Sequence, residues 1–303
     1  MFFPNHALSE IERVQMTSSC NDCEHISKMT NASGVISEQG QHWQVMFNGL
    51  KVKYGGYYGD WMADIISNLE GHHEPQEELV FHSVIERLPP GSKMIELGCF
   101  WGFYSLWFAH CISDSQVILS EPDPVHLELA RANFVQNGLF ENATFTQACA
   151  GFDRKYSIHL ESIASIQSVQ GKSVKTLMRE NGVEYLDILH LDIQGAECDV
   201  LESIQDDELT DSIRFIFVST HHHLISGDPL THERCLHQLL SNGAHIISEH
   251  TVEESFSGDG LIVASFSDLD EGFEVPVSRN RASKSLFRPL SYDLAESRYS
   301  VKP

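Results

Sequence analysis

The sequence predicts an α/β fold in which helices cover both faces of a mostly parallel β-sheet. From Lys93 onward, short apolar segments typical of strands alternate with longer amphipathic segments typical of helices. The last two apolar segments, HIISE and GLIVASF, are joined by a loop without a helix. Because a parallel pair needs a long crossover, we expect these two strands to pair antiparallel at one edge of a seven-stranded sheet.

The N-terminal part of the chain lacks this alternation and is expected to form an arm and a cap over residues 1–74. Residues 1–40 are polar with little periodicity, which indicates a loose tail or a short helical arm. A strand or hairpin, an aromatic loop and a helix beginning at Trp61 follow. We interpret His72 and His73 as part of a solvated linker. A second amphipathic helix then runs until PPG stops it.

The α/β domain is expected to span residues 75–268, followed by a loosely ordered C-terminal tail over residues 269–303. Five strands precede the final pair, in KMIEL, QVILSEP, ATFTQAC, LDILHLD and RFIFVST. A hairpin-like insert, KYSIHLE, follows the third of them. Helices are expected in FYSLWFAHCI, PVHLELARANFVQNG, SVKTLMREN, AECDVLESI and LTHERCLHQLLSNG. The second of these has Pro at its start and Gly after its end, as helix termini prefer.

Composition argues against several classes of function. The 303 residues carry a formal net charge of −23, whereas binders of nucleic acid or of anionic membranes need clustered Lys and Arg. The N terminus has no basic flank before an apolar core. The longest apolar run, residues 97–112, is shorter than the roughly 20 residues that span a bilayer. We therefore expect a cytoplasmic protein without a nucleic-acid partner and without membrane insertion.

The seven cysteines are odd in number and scattered, which is typical of reduced thiols in a cytosolic protein. Cys20 and Cys23 form a CxxC pair, but no second pair follows at zinc spacing. We interpret the CxxC pair as a coincidence rather than as a metal site.

The end of the first strand is the first candidate binding site, because ligands of open α/β sheets bind at the carboxyl ends of the strands. The segment ELGCFWG, residues 96–102, contains two glycines that would let the backbone pass close to a flat ligand. Phe100 and Phe103 stand where a dinucleotide fingerprint needs glycine, so that fingerprint fails. Trp101 lies at the tip of the loop and is expected to contact the ligand.

The ends of the second and third strands suit the nucleoside part of a ligand. Glu121 follows the second strand, where a carboxylate accepts hydrogen bonds from two vicinal ribose hydroxyls. Ala148 and Cys149 end the third strand and are a candidate floor for an adenine ring. Small residues that only pack in the protein core would give the same sequence pattern there.

The fourth and fifth strands end in groups capable of acid–base chemistry. Asp192 ends the fourth strand, with Gln194 and Glu197 just beyond it, and three consecutive histidines end the fifth. An imidazole beside a carboxylate is a natural general base, so we expect His221 or His222 to accept a proton while Asp192 orients the base or the substrate. An alternative is a divalent cation held by Asp192, Glu197 and His221.

The aromatic loop KYGGYYGDW precedes the α/β domain and is a candidate lid or acceptor wall. Tyr57, Tyr58 and Asp60 suit a polyhydroxylated acceptor, because aromatic faces stack on sugar rings and a carboxylate accepts from hydroxyls. With Gln194 they are the candidate substrate contacts. A packed N-terminal cap is an equally good interpretation of the same loop.

The segments ELGxxxG, SEPDP and LHLDIQGAECDVLES together resemble the FkbM family of S-adenosylmethionine-dependent O-methyltransferases, over about residues 75–265. The resemblance implies a Rossmann-like class I methyltransferase sandwich with a seven-stranded, mostly parallel sheet and an antiparallel last strand. It also implies that Asp192 lies at the methyl-transfer cleft. The residues that the resemblance assigns to S-adenosylmethionine are Glu96, Gly98 and Gly102 for the methionine portion and Glu121 for the ribose.

The chain departs from the family pattern at two positions. Most members have Lys immediately before the signature Asp, whereas this chain has Leu191, with His190 one residue earlier. In this chain no residue is assigned to the role that the lysine has in other family members. Glu96 stands where Asp is more common.

Together, the residues and the resemblance lead us to expect O-methylation of a hydroxyl on a small-molecule or glycan acceptor, with S-adenosylmethionine as cofactor and a divalent cation as an optional second one. Two other classes of function stay open. A nicotinamide-dependent oxidoreductase is disfavoured by the missing third glycine. A non-catalytic interaction module is disfavoured by the charged residues of the cleft, but no sequence feature excludes it.

Overall fold

The computed structural model describes residues 8–280 of the chain. Its strands are β1 (Val35–Glu38), β2 (Gln41–Val45), β3 (Lys51–Lys53), β4 (Lys93–Leu97), β5 (Gln116–Ser120), β6 (Ala143–Thr146), β7 (Cys149–Ala150), β8 (Lys155–Leu160), β9 (Ser165–Lys172), β10 (Leu186–Leu191), β11 (Ile213–Thr220), β12 (His245–His250) and β13 (Gly260–Ser265). Its α-helices are α1 (Glu10–Thr17), α2 (Asp60–Asn68), α3 (Pro75–Ile85), α4 (Phe103–Cys111), α5 (Pro124–Gln136), α6 (Val174–Glu180), α7 (Glu197–Asp206), α8 (His223–Ser226) and α9 (Thr231–Ser241).

Seven strands form the central sheet, in the order β12-β13-β11-β10-β4-β5-β6. The neighbours from β11 to β6 pair parallel, whereas β13 pairs antiparallel with both β11 and β12. The expected seven-stranded sheet with an antiparallel edge is therefore confirmed. The antiparallel edge follows from the short β12–β13 loop, which is too short for a crossover helix.

The strand order reverses between β4 and β10. From β4 the chain continues outward through β5 and β6, and then returns to the other side through β10 and β11. The connections that leave these two strands diverge above their carboxyl ends, which opens a crevice there. The candidate residues after β4 and β10 lie at this crevice.

Apolar side chains cover both faces of the central sheet. One core cluster includes Phe81, Trp107 and Phe134, from α3, α4 and α5. The other contains apolar side chains of α6, α7 and α9, such as Leu177 and Leu239. Full burial of one such side chain contributes about 1.5–3 kcal/mol, so the two clusters fix the helices on the sheet.

The N-terminal cap packs directly on the α/β layer. Met46, Phe47 and Ile65 belong to the same core cluster as Trp107, and the ring of Phe47 meets Trp107 edge-on at 4.8 Å between centroids. Helix α1 begins with a capping box formed by Ser9 and Glu12. Of the two alternatives for the first 40 residues, the short helical arm describes residues 10–17.

Two expectations about loose segments are corrected by the packing. His72 and His73 are buried rather than solvated, because Glu78 in the first turn of α3 accepts hydrogen bonds from the backbone N–H groups of His73 (2.7 Å) and Glu74 (3.1 Å). The first part of the expected tail is ordered, with Val275 buried and its N–H donating to the Ile247 carbonyl at 2.9 Å. The rest of that tail, residues 281–303, lies outside the described residues.

Within residues 8–280, no helix has both the length and the apolar character needed to cross a membrane.

Candidate functional site

A cavity of about 320 Å³ lies at the carboxyl ends of the parallel strands. This volume lies within the range of small-molecule and cofactor sites. Its wall is built from the turns after β4, β5 and β10, from β7 and β8, and from the aromatic loop of the cap. We call this cavity the larger cavity. The candidate residues on its wall are Tyr57, Tyr58, Gly98, Glu121, Asp192 and Gln194.

Gly98 is required by the close approach of two strand ends. Its backbone has φ of 78°, and a Cβ atom there would lie 1.7 Å from the carbonyl oxygen of Asp192. The N–H of Asp192 donates to the Leu97 carbonyl at 3.0 Å, which holds the two ends together. Glycine at this position therefore brings Asp192 beside the β4 turn, on the wall of the larger cavity.

Gly102 has a packing role rather than contact with the larger cavity. It precedes α4 with φ of 69°, and a Cβ atom there would meet Leu119 Cδ2 at 2.8 Å and Ala130 Cβ at 3.0 Å. Gly102 does not lie on the wall of the larger cavity, whereas Gly98 does. Glycine is needed here so that α4 can pack closely on β5 and α5.

Within the turn after β4, the aromatic residue on the wall of the larger cavity is Phe100 and not Trp101. Phe100 has φ of 41° and its ring stacks on His126 with centroids 3.7 Å apart. Trp101 is buried, lies parallel to Tyr57 at 4.7 Å between centroids, and its carbonyl accepts from Asn133.

Glu121 lies on the wall of the larger cavity. Its Oε2 accepts from the Phe100 N–H (3.1 Å) and its Oε1 from the Asp123 N–H (2.9 Å). A carboxylate oxygen has two lone pairs, so each can still accept from a ligand hydroxyl. Burial raises the pKa of Glu121 to about 7.

Glu96 and Ala148 lie behind the cavity wall and not on it. Glu96 is buried, and its Oε2 accepts from the Ser105 N–H at 3.1 Å in the first turn of α4. Burial raises the pKa of Glu96 to about 7. Ala148 is fully buried and its carbonyl accepts from Ser120 Oγ at 3.2 Å. Cys149, the other residue of the expected floor, and Ala150 lie on the wall of the larger cavity.

His221 is clamped between carboxylates. Its Nδ1 lies 2.8 Å from Glu197 Oε1, and its Nε2 lies 3.1 Å from Asp192 Oδ1 and 3.7 Å from Asp259 Oδ1. Burial lowers the pKa of His221, but the charges of Asp259 and Glu197 together with the hydrogen bonds outweigh it and raise the pKa well above its usual range. These contacts favour the imidazolium form of His221, whose two ring nitrogens face carboxylates.

His222 lies on neither cavity wall. Its Nδ1 accepts from the Leu224 N–H at 3.2 Å and caps the short helix α8. Burial lowers the pKa of His222 to about 4. The second candidate base is thus a neutral helix cap, because the strand ends at Thr220 and the chain turns away.

The expected cation ligands do not converge on one point. Glu197 and Asp192 contact opposite nitrogens of the His221 ring, so the ring stands between them. Among residues 8–280, the group close enough to share a metal ion lies elsewhere, at Cys23, His72 and Glu78.

A second, smaller cavity of about 70 Å³ lies between α1, the aromatic loop and the strand ends. It shares Tyr57, Tyr58, Asp192 and Gln194 with the larger cavity. Further wall residues are Arg13, Trp61, Glu74, His221 and Asp259. Asp60 is not among them; it is exposed in the first turn of α2, where a negative charge is favoured by the helix dipole.

Asp259 is a charged residue of the smaller cavity that the sequence analysis did not identify. It immediately precedes β13 between two glycines, in the segment SGDGL. Because β13 runs antiparallel to β11, its beginning lies at the same edge as the carboxyl ends of the parallel strands. The sequence feature that could have identified Asp259 is an acidic residue immediately before the expected antiparallel strand.

The position of the missing lysine is apolar in this chain. Leu191 is buried in the core cluster on the α6, α7 and α9 face of the sheet. His190, its neighbour, points to the opposite face, where its Nε2 lies 2.6 Å from Glu77 Oε1 of α3. Neither side chain lies on a cavity wall, so His190 does not replace the lysine.

Comparison with known proteins agrees with this architecture. Residues 99–246 match the family described as the methyltransferase FkbM domain. No curated protein matches the chain in sequence.

Similar solved structures include an O-methyltransferase from Bacillus cereus in complex with SAH (16% identity, 63% of this chain and 80% of that chain, TM-score 0.41). They also include TrmK of M. capricolum with S-adenosyl-homocysteine (13% identity, 65% and 74%, TM-score 0.39). A third is the human methyltransferase 10 domain containing protein (15% identity, 64% and 83%, TM-score 0.42).

The family match and the seven-stranded sheet with its antiparallel edge make this a Rossmann-like class I methyltransferase fold. The recognition made from the ELGxxxG, SEPDP and LDIQGAE segments is confirmed. Residues 99–246 match the model of the methyltransferase FkbM domain, which covers just under half of the chain.

Proposed function

We propose that this protein transfers a methyl group from S-adenosylmethionine to a hydroxyl of a polyhydroxylated acceptor such as a sugar or glycan. The observation that carries the proposal is the position of Asp192, which lies on the walls of both the larger and the smaller cavity. A cofactor in the larger cavity and an acceptor in the smaller one would meet at this shared wall.

The larger cavity fits the cofactor by the chemistry of its wall. Glu121 offers two carboxylate oxygens to the ribose hydroxyls, held in place by backbone donors. Phe100 and Ala150 supply apolar surface, and Gly98 keeps the turn open beside Asp192. S-adenosylmethionine, when bound, supplies a methyl group activated by its sulfonium.

The smaller cavity suits an acceptor with several hydroxyls. Tyr57 and Tyr58 supply aromatic surface, while Asp192 and Asp259 supply carboxylate acceptors for hydroxyl hydrogens. Arg13 adds a donor from α1 on the same wall. Such a mixture of aromatic faces and carboxylates is what a sugar ring requires, because it has both an apolar face and a polar rim.

The main task of the protein is to align the acceptor hydroxyl. Orientation of this kind can contribute about 7–11 kcal/mol to lowering a barrier. Because His221 is held as an imidazolium between carboxylates, it acts as a positioning residue that fixes Asp192 and Asp259 at the cleft. The proton of the hydroxyl therefore goes to a carboxylate.

Asp259 is the proposed general base. Burial raises the pKa of Asp259 to about 7, although His221 opposes the rise. A carboxylate with this pKa is deprotonated in a large share of molecules at neutral pH and is a stronger base than an ordinary Asp. Asp192, on the shared wall, orients the hydroxyl.

The experiment is a transfer assay with the full chain, S-adenosylmethionine and a panel of glycans, simple polyols and matched amino sugars. Mass spectrometry of the products is expected to show the gain of one methylene on a hydroxyl, lost in Asp192→Asn. A methyl group found only on the amino sugars, at nitrogen, would contradict O-methylation. Transfer to none of the hydroxyl acceptors would contradict the acceptor class.

A further inference from the structure

Three metal-ligating side chains meet beneath the cap, outside the part of the chain that matches the FkbM family. Cys23 follows α1, His72 precedes α3, and Glu78 lies in the first turn of α3. One donor atom from each lies within 4.8 Å of the other two. The side chains are 4%, 1% and 0% exposed, so the group is shielded from bulk water.

The two carboxylate oxygens of Glu78 contact different groups. Oε1 accepts from the backbone N–H groups of His73 and Glu74 and lies 2.6 Å from His73 Nδ1. Oε2 is left facing His72 and contacts its Nδ1. Glu78 therefore offers one oxygen to His72 without giving up its role at the start of α3.

The three side chains have few other partners among the described residues. His72 Nε2 is buried and makes no hydrogen bond to any of them. The Cys23 thiol is buried and donates to the Pro75 carbonyl at 3.1 Å. Because Nδ1 of His72 faces Glu78 Oε2, a cation at this point would take that nitrogen, the Glu78 oxygen and the Cys23 sulfur as its ligands.

We propose that Cys23, His72 and Glu78 bind one Zn²⁺ ion. Thiolate, imidazole and carboxylate are the three donor types that zinc accepts in proteins, whereas Mg²⁺ and Ca²⁺ prefer oxygen donors alone. Zinc is usually four-coordinate, so three protein ligands leave one position for water. Cys23 binds as a thiolate and releases its proton to solvent, and the negative charges of Cys23 and Glu78 balance the charge of the ion.

The position of the site gives it a consequence for the smaller cavity. The segment that carries Cys23 continues from α1, which brings Arg13 and Thr17 to the cavity wall. His73 and Glu74, which follow His72, lie on the same wall. A zinc ion that joins Cys23 to His72 would therefore fix two sides of the smaller cavity relative to each other.

The test does not depend on methyl transfer. The full chain is stripped of metal and titrated with Co²⁺ as a spectroscopic substitute for Zn²⁺. We expect uptake of one equivalent with the absorption of thiolate-to-cobalt charge transfer, and displacement by one equivalent of Zn²⁺. Because this spectrum reports a cysteine ligand in the unaltered protein, its absence would overturn the proposal.

Variants locate the site. Cys23→Ala is expected to abolish the charge-transfer band, whereas Cys20→Ala, a matched control buried in the same segment, retains it. Equal spectra for the two variants, or loss only in Cys20→Ala, would contradict the assignment. Should Cys23→Ala fail to fold, His72→Gln replaces it, with His82→Gln on α3 as its control. Metal uptake by His72→Gln equal to that of the control would count against the site.

Discussion

His221 Nε2 lies 3.1 Å from Asp192 Oδ1, while Nδ1 of the same ring lies 2.8 Å from Glu197 Oε1. Both nitrogens of the imidazole are thus committed to carboxylates. A ring held in this way keeps its proton and cannot accept another. The relationship favours a cationic form of the most obvious base of the cleft, and we therefore propose that the proton of the acceptor goes to Asp259.

Replacing Asp259 by Asn is expected to lower kcat by about 10²–10⁴-fold, the usual contribution of a general base. In the unaltered protein kcat/KM should rise with pH through about 7, because Asp259 must lose its proton and its pKa is raised to about 7. The dependence should be absent in Asp259→Asn. Asp60→Asn, an exposed control on α2, should keep the normal profile. An unchanged profile in Asp259→Asn would reject this base.

Removing the cation with His221→Gln is expected to move the rise of kcat/KM to higher pH. The charge of His221 lowers the pKa of Asp259, so its loss lets burial raise that pKa further. His222→Gln makes the same change at a neighbouring buried residue that lies on neither cavity wall, and should leave the profile in place. A shift to lower pH in His221→Gln would contradict the imidazolium.

The same variant should lose stability. Glu197 is fully buried and would lose its cationic partner, and breaking a buried ion pair from one side typically costs about 3–5 kcal/mol. Urea unfolding of His221→Gln against the unaltered protein measures this loss. A change smaller than that of His222→Gln would mean that the pair contributes little.

Gly98→Ala is expected to destabilise the protein by about 2–4 kcal/mol, since it combines a left-handed backbone with overpacking. The added Cβ would lie 1.7 Å from the Asp192 carbonyl, so the two strand ends would have to separate. Gly138→Ala is the matched control: its φ is 69° and nothing lies within 4 Å of the added atom. Chemical denaturation of both variants should show the larger loss at Gly98, and equal losses would contradict the close approach.

The sheet was predictable because its strands are short, apolar and separated by amphipathic helices, a pattern that few folds share. Positions such as Asp192 and Glu121 were predictable for a related reason: the carboxyl end of a parallel strand can be located from its apolar run alone. The sequence did not predict the direction of the side chains that follow the end of a strand. Trp101 and His222 both follow a strand by a few residues, and in each case an irregular turn directs the side chain away from the cavities.

The arrangements that the sequence did not predict depend on contacts between distant parts of the chain. Asp259 reaches the cleft only because β13 runs antiparallel, and Glu197 is recognisable as the partner of His221 only in three dimensions. Cys23 illustrates the same limit, since its neighbours in space are His72 and Glu78 and not a second CxxC pair. Spacing rules recognise local ligand sets, whereas this group spans more than 50 residues.

The most direct test of the central claim is calorimetric titration of the full chain with S-adenosylhomocysteine, repeated with Glu121→Gln and His222→Ala. We expect saturable one-to-one binding to the unaltered protein and to His222→Ala. Binding to Glu121→Gln should be about 10- to 100-fold weaker, because hydrogen bonds to a charged group contribute about 1.5–3 kcal/mol. Absence of saturable binding to the unaltered protein, or equal affinity of Glu121→Gln, would contradict the assignment of the larger cavity to the cofactor.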